Sequence, residues 1–369
     1  METAEYGLMV AGAGPAGSAC AITAARAGVR VLLLEKDKFP RHKVCGEFVS
    51  SESLRLLESL LGGHLLENRQ FDARPEITSA RIFLDHKSVS LPVAPAARSI
   101  PRFDLDAALL ESARRSGVHA QEGVTVRGVD QREVAGLSIF EIRTAGKTFT
   151  ARAVVNTTGR WSQLTQFPAA GKAKWIGLKA HFTEAAPPNS VDLYFFPGGY
   201  CGVQPVARDT VNACAMVQAG AAHSLEEVFA SHPELWRRSR DWEARFPAIT
   251  TSQLYFRPPE TEDRGMTLAG DAAGFIDPFA GDGISLALHS GTLAAESLVP
   301  FFAGKRSLAK SQQQYRTAYF KRFAPAFRNA ARLRMLLSAP AWLSSKLIGL
   351  AGTRPVARMM VRGTRAQVS

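Results

Sequence analysis

Residues 7–14, GLMVAGAG, are apolar and end in glycines, a pattern that predicts a short buried strand. PAGSACAITAARAG (15–28) follows, with small residues throughout, a proline near its start and Gly28 at its end, and predicts a helix. VRVLLLE (29–35) is almost continuously apolar, as in a strand buried on both faces. The three pieces make a β-α-β unit. TSARIFLDHKSVSLPV (78–93) predicts a hairpin turning near Asp85-His86-Lys87. PRFDLDAALLESARRSG (101–117) predicts a helix capped by Asp104 and closed by Gly117. From Val124 to Asn156, strand-like pieces broken at Gly128, Gly136 and Gly146 suggest an antiparallel meander. WIGLKAHF, VDLYFF and VNACAMV make 175–218 strand-rich again. Residues 267–298 pass from a strand, MTLAG, through a Gly/Asp loop into a helix, ISLALHSGTLAAESL, and the remainder reads as helical and basic.

Alternating strands and helices followed by strand runs imply an α/β fold with a further sheet. At 369 residues the chain is long for one domain and predicts two, or one with a large insertion. No charged and apolar leader precedes the first strand, and no apolar run reaches the length of a membrane span. Cys20, Cys45, Cys201 and Cys214 follow no regular spacing, which predicts neither a disulfide framework nor a metal site. A reducing, cytoplasmic setting fits that usage.

The net charge of +12 is unevenly placed. The last 73 residues hold 14 Lys or Arg and no Asp or Glu, and the first 296 hold 31 basic against 33 acidic groups. The tail KRFAPAFRNAARLRMLLSAPAWLSSKLIGLAG mixes these cations with Phe323, Phe327, Leu333, Leu336, Leu337 and Trp342. That mixture disfavours nucleic acid as a partner. It leaves two readings: contact with a membrane surface, peripheral on the inner face, or helices packed on the protein with a solvated basic side.

Two motifs carry chemistry. Gly12-Ala-Gly14-Pro-Ala-Gly17 sits between a strand and a helix, as a dinucleotide-binding turn requires. The first glycine permits the turn, the second admits a pyrophosphate to the backbone, and the third lets helix and strand pack closely. Glu35 ends the next strand 23 residues after Gly12, where a carboxylate accepts hydrogen bonds from a ribose. Far downstream, Leu268-Ala-Gly270-Asp271-Ala-Ala-Gly274-Phe275-Ile-Asp277-Pro278-Phe279-Ala-Gly281-Asp282-Gly283-Ile284 delivers Asp271 to a loop and then opens a helix. Asp271 suits a sugar or ribityl hydroxyl, and the NH groups around Gly281 to Ile284 suit an electron-rich ring edge. The acidic spacing is not that of a calcium loop, and no metal is expected.

GAGPAG, Glu35, RHKVCGE, PRFDLDAAL, VVNTTGRWS and GDAAGFIDPFAGDGI, in that order between about residues 6 and 300, resemble the flavoprotein monooxygenase superfamily of p-hydroxybenzoate hydroxylase type. Within it the geranylgeranyl reductase branch is the nearest resemblance. The resemblance implies FAD and a Rossmann-like domain in three segments, 1–75, 98–170 and 264–300. It also implies a β-sheet substrate domain from 76–97 and 171–263 over the flavin, with 301–369 as a basic helical region. It implies that Gly12, Gly14 and Gly17 bind the pyrophosphate, that Glu35 binds the adenosine ribose, and that Arg102 lies beside the phosphate and ribityl groups. Pro15, Ala16, Lys36, Arg41, Val126, Thr158, Gly159, Gly270, Pro278 and Asp282 border the cofactor by the same resemblance. Asp271 then contacts the ribityl or pyrophosphate region, and Gly281, Gly283 and Ile284 approach the isoalloxazine. NAD(P)H or another reductant is the implied electron donor.

RHKVCGE matches a Lys-x-Cys-Gly element of that branch, which lies beside the isoalloxazine. Gly46 admits close backbone approach, and Cys45 is either a polarizable wall with a chemical part or a space-filler. His181 and Tyr200 are candidates for proton transfer, although strand His and Tyr residues are more often structural. The chain departs from aromatic hydroxylases in carrying Thr158-Gly159 in place of Asp-Gly. It departs from flavin halogenases in carrying Gly199-Tyr-Cys-Gly-Val-Gln-Pro205, without their two tryptophans. The expectation is an FAD-dependent oxidoreductase that reduces a double bond in an apolar, prenyl- or polyketide-like substrate. The alternatives are oxygenation of a hydrophobic substrate and a non-enzymatic flavin electron carrier.

Overall fold

The expected β-α-β unit forms as β1 (Tyr6–Ala11), α1 (Pro15–Arg26) and β2 (Val31–Glu35), with Leu8 of β1 in parallel register with Val31 of β2. Leu8 to Ala11 and all of β2 are buried, the burial that a strand covered on both faces requires. The computed structural model describes residues 4–62, 71, 73–84, 87–134, 137–160, 164, 175–251, 254, 256, 258–278 and 281–337. The chain continues through β3 (Phe48–Val49), α2 (Ser51–Leu61), β4 (Glu76–Leu84), β5 (Lys87–Ser99), α3 (Arg102–Arg115), β6 (His119–Glu122), β7 (Gly128–Val134), β8 (Leu137–Arg143) and β9 (Thr148–Asn156). Then come β10 (Trp175–Thr183), β11 (Ser190–Phe196), β12 (Gly199–Ala207), β13 (Thr210–Gln218), α4 (Leu225–Ala230) and α5 (Pro233–Arg238). Last are β14 (Ile249–Thr250), β15 (Glu262–Asp263), β16 (Met266–Leu268), α6 (Gly283–Phe302) and α7 (Leu308–Leu337).

The strands form two sheets. The first runs β15-β16-β9-β1-β2-β6, parallel through its centre, with the expected β7-β8-β9 meander attached antiparallel at β9. Its core has two sides. Leu8, Val10 and Leu33 pack with α1, α3, α6 and α7, while Met9, Ala11, Leu32 and Leu34 pack with Phe140, Ile142 and Phe149. The second sheet runs β14-β10-β13-β12-β11-β4-β5-β3, antiparallel except where β11 meets β4. The hairpin expected at Asp85-His86-Lys87 forms between β4 and β5, with Leu84 opposite Lys87; residues 85–86 lie outside the described residues.

The two-residue period of the second sheet assigns its faces. Leu178, Ala180 and Phe182 of β10 and Val211 and Ala213 of β13 pack against Leu225, Val228 and Leu235 of α4 and α5. The alternate residues Lys179, His181, Asn212, Tyr200 and Gln204 lie on the opposite face, toward the first domain. Tyr194, by contrast, faces the helices.

One capping expectation is corrected: the residue preceding α3 is Pro101, and Asp104 sits in the first turn, where its carboxylate accepts from Arg74 at 2.5 Å. Proline at that position supplies a fixed φ without an NH to satisfy. Helix α7 docks on the first domain through Tyr315, Tyr319 and Phe323, all fully buried, and Tyr315 Oη donates to the Leu268 carbonyl at 2.8 Å. The part of the basic tail from 338 to 369 lies outside the described residues.

Candidate active site

Gly12, φ +95°, turns the chain out of β1; this left-handed backbone carries a steric cost for any residue with a Cβ. Pro15 starts α1 immediately after the turn. Glu35 Oε2 braces it, accepting from the Ala13 NH at 2.7 Å, while Oε1 accepts from the Asp37 NH at 3.0 Å. Thr157 Oγ1 donates to the carbonyls of Ala11 and Gly12 at 2.7 and 2.8 Å. A nucleotide-sized cradle thus opens at the C-terminal edge of the parallel strands, where open α/β sheets bind ligands.

That cradle belongs to a cavity of about 520 Å³ running between the two sheets. Nearly all the expected cofactor residues line it. Gly12, Gly14, Pro15, Ala16, Glu35, Lys36 and Val126 line it, as do Arg41, Arg102, Thr158 and Gly159. Cys45 and Gly46 line it too, together with Gly270, Asp271, Pro278, Gly281, Asp282, Gly283 and Ile284. A Cβ added at Gly46, Gly159 or Gly283 would meet nothing within 4 Å, so bare backbone faces open space at all three. This is the arrangement a planar, phosphate-bearing ligand requires, and the residues present fit FAD.

Two expected site residues fall elsewhere. Gly17 does not line the cavity; its Cβ would overlap the Gly12 carbonyl, so its part is the close packing of α1 on β1. His181 also stays off the cavity wall, and its Nε2 donates to Glu47 Oε2 at 2.7 Å. Tyr200 lines the cavity, and burial raises its phenol well above the usual range, so it stays protonated.

The cations are grouped. Arg102 is held by Asp106 through two contacts of 2.7 Å, and Arg41 reaches the same carboxylate at 3.1 Å. Burial, with Arg102 and Arg41 alongside, brings the Lys43 ammonium down to about 8 against the opposing pull of Asp106. Arg160 pairs with Asp271 at 3.2 Å and lies 3.7 Å over the Phe275 ring. This cluster of cations suits a diphosphate.

Sequence reasoning missed Glu47, Lys179, Asn212 and Arg160. Glu47 and Lys179 are fully buried and form an ion pair between loop 43–47 and β10. Burial would raise the Glu47 carboxyl, but the Lys179 charge and the His181 hydrogen bond outweigh it and hold it at about 2. The signal was present: Lys179 and His181 stand two apart in WIGLKAHF and so share one face of a buried strand, which demands a counter-charge.

The far wall of the cavity is apolar. It comes from the second sheet: Ile82 of β4, Leu91 and Val93 of β5, Leu193 and Phe195 of β11, joined by Leu254. A nucleotide cradle running into an apolar chamber defines an FAD-dependent oxidoreductase. The chain belongs to the FAD binding domain family, whose model matches residues 5–206.

Its curated relatives include digeranylgeranylglycerophospholipid reductase 1 of Methanococcoides burtonii, 28% identical across 85% of this chain and 80% of that one. Menaquinone reductase of Mycobacterium tuberculosis is 27% identical across 91% and 85%. Among solved structures, a flavin-dependent brominase superposes with a TM-score of 0.77 at 21% identity, covering 96% of this chain and 93% of that one. A geranylgeranyl bacteriochlorophyll reductase-like protein of Thermoplasma acidophilum superposes with a TM-score of 0.75 at 22% identity, covering 97% and 95%. The fold is thus shared by reductases and halogenating enzymes.

Proposed function

We propose that the protein reduces a carbon–carbon double bond in a lipid-like, prenyl-bearing substrate. The observation that carries this reading is that one cavity is lined by the Gly12–Gly14 turn, by Cys45 and Gly46, and by the apolar side chains of Ile82, Leu91, Val93, Leu193 and Phe195. An apolar wall excludes water and gains about 25 cal/mol for each Å² of apolar substrate surface it covers. Bound FAD supplies the two-electron redox chemistry. The chain's own residues bind and orient: Gly12, Gly14 and the Arg41–Arg102–Lys43 group hold the dinucleotide, and the second sheet aligns the alkene. Tyr200, which lines the cavity, is the side chain we assign to return a proton to the carbon next to the one that takes the hydride. The two reductase relatives act on lipids by their names, which supports the same substrate class.

Helix α7 adds a route for such a substrate. Its buried side docks on the first domain, while Lys310, Lys321, Arg328 and Arg332 are exposed, a surface complementary to anionic lipid headgroups. Among the described residues no helix is long and apolar enough to cross a membrane.

The test is to incubate the FAD-loaded, reduced enzyme without oxygen with menaquinone and with geranylgeranyl lipids and to weigh the products. A gain of two hydrogens in the absence of oxygen, retained in menaquinone after its ring is reoxidised in air, is expected. A product that forms only when oxygen is admitted, heavier by one oxygen atom, overturns reduction in favour of oxygenation.

A further inference from the structure

Loop 43–47 lies between the two sheets and presents Cys45 and Gly46 to the cavity. Its position is held from both sides. From the first domain, Ile100 NH donates to the Glu47 carbonyl at 2.9 Å, and Arg102 NH donates to Glu47 Oε1 at 2.8 Å. From the second sheet, Lys179 Nζ donates to Glu47 Oε1 and to the Lys43 carbonyl, the latter at 3.1 Å. His181 takes the other carboxylate oxygen. Asn212 Nδ2 donates to the carbonyls of both Cys45 and Gly46, each at 3.0 Å.

This arrangement is costly. Glu47 adopts φ +63°, a left-handed conformation that a non-glycine residue holds only when its surroundings over-determine it. Glu47 and Lys179 carry their charges fully buried, where a matched apolar pair serves stability as well or better. What the polar cluster supplies, and an apolar one does not, is a set of directional bonds to the backbone carbonyls of residues 43, 45 and 46. A Cβ at Gly46 meets nothing within 4 Å and Gly46 lines the cavity, so the peptide those bonds position faces open cavity space.

We propose that Glu47, Lys179 and Asn212 are positioning residues that set the Cys45–Gly46 peptide against the ring of bound FAD. The proposal rests on the FAD-dependent reading and is independent of which substrate is reduced. Lys179 and Asn212 project from β10 and β13, neighbouring strands of the sheet whose cavity face carries the apolar wall.

The test uses the FAD-loaded protein with Asn212→Ala, Lys179→Met and Glu47→Gln. Asn212→Ala removes two hydrogen bonds without stranding a buried charge, so it folds even if the ionic variants do not. Bound FAD per chain, thermal stability, the visible absorption bands of the flavin and its midpoint potential are measured on each. The expected result for Asn212→Ala is full FAD occupancy with displaced absorption bands. Its potential should move by the equivalent of about a tenfold change in the oxidised-to-reduced equilibrium, about 30 mV for a two-electron couple. A variant with lowered thermal stability but wild-type bands and potential in its FAD-loaded fraction would show a merely structural cluster and overturn the proposal. Failure of the alkene-reduction reading leaves these spectroscopic outcomes unchanged, so the two are separable.

Discussion

A Cβ on Gly17 would overlap the carbonyl oxygen of Gly12, whereas one on Gly14 would approach only the Arg102 guanidinium, at 3.8 Å. The two glycines of one motif therefore fail differently when replaced. Gly17→Ala forces α1 away from β1 and should cost at least about 1–3 kcal/mol, as overpacking of a close contact does. Gly14→Ala should fold with near-normal thermal stability and bind FAD at least tenfold more weakly. Parallel melting curves and flavin titrations of the two variants check this; equal loss of stability in both would refute it.

The parts of the site legible in the sequence are those made of local backbone. GAGPAG, Glu35 and the loop from Gly270 to Ile284 announce themselves because a turn, a strand end and a helix start are each encoded by neighbouring residues, and the structure brings them to one cavity. The clamp of loop 43–47 was not legible. Glu47 and Lys179 are 132 residues apart, and their pairing depends on how the second sheet lies over the first. The third glycine was read partly as a ligand-binding residue although its packing role was equally visible, because spacing alone does not separate the two. His181 is legible as a strand histidine, but its partner, Glu47, lies 134 residues away in loop 43–47.

Acid should release the clamp. The Glu47 carboxyl is held at about 2 in the folded protein, below its value of about 4.3 in an unfolded chain. Its contribution to stability is therefore complete above the unfolded value and is lost as pH falls toward 2. Glu47→Gln leaves Lys179 buried without its counter-charge and should destabilise by about 3–5 kcal/mol at pH 7. The gap between wild type and variant should narrow steadily as melting is followed from pH 5 down to pH 3. A gap that is constant over that range would show that the pairing has no ionic content.

Lys43 predicts the opposite trend. Its folded value of about 8 lies below the 10.4 of an unfolded lysine, so the buried charge destabilises the cofactor-free protein most below pH 8. That penalty fades as pH rises from 8 to 10.4. Lys43→Met should therefore be more stable than wild type at pH 7 without FAD and indistinguishable at pH 10.4. With FAD the ranking reverses, because the diphosphate favours the charged amine. Wild-type affinity should fall between pH 7 and pH 9.5, whereas Lys43→Met should bind more weakly at pH 7 and show a flatter profile. An FAD affinity with the same pH dependence in both proteins would remove Lys43 from the cofactor's charge balance.

Helix α7 is built to present one face outward. Lys310, Lys321, Arg328 and Arg332 are exposed, and at 100° per residue they fall within about 40° of one another around the axis. Tyr315, Tyr319, Phe323, Ala326 and Ala330 are buried against the first domain. No acidic residue interrupts the chain from Ser297 onward, so nothing on the helix itself neutralises the stripe. Each cation near an anionic bilayer is worth about 1 kcal/mol, so removing one should weaken binding roughly fivefold. The full-length protein should float with vesicles containing phosphatidylserine, should not float with phosphatidylcholine alone, and should be released by raised salt. Reversing all four charges to Glu should abolish flotation while the flavin spectrum stays that of the wild type. Flotation undiminished by the fourfold reversal, or equal on neutral vesicles, would remove this face from membrane contact and leave it as a solvated surface.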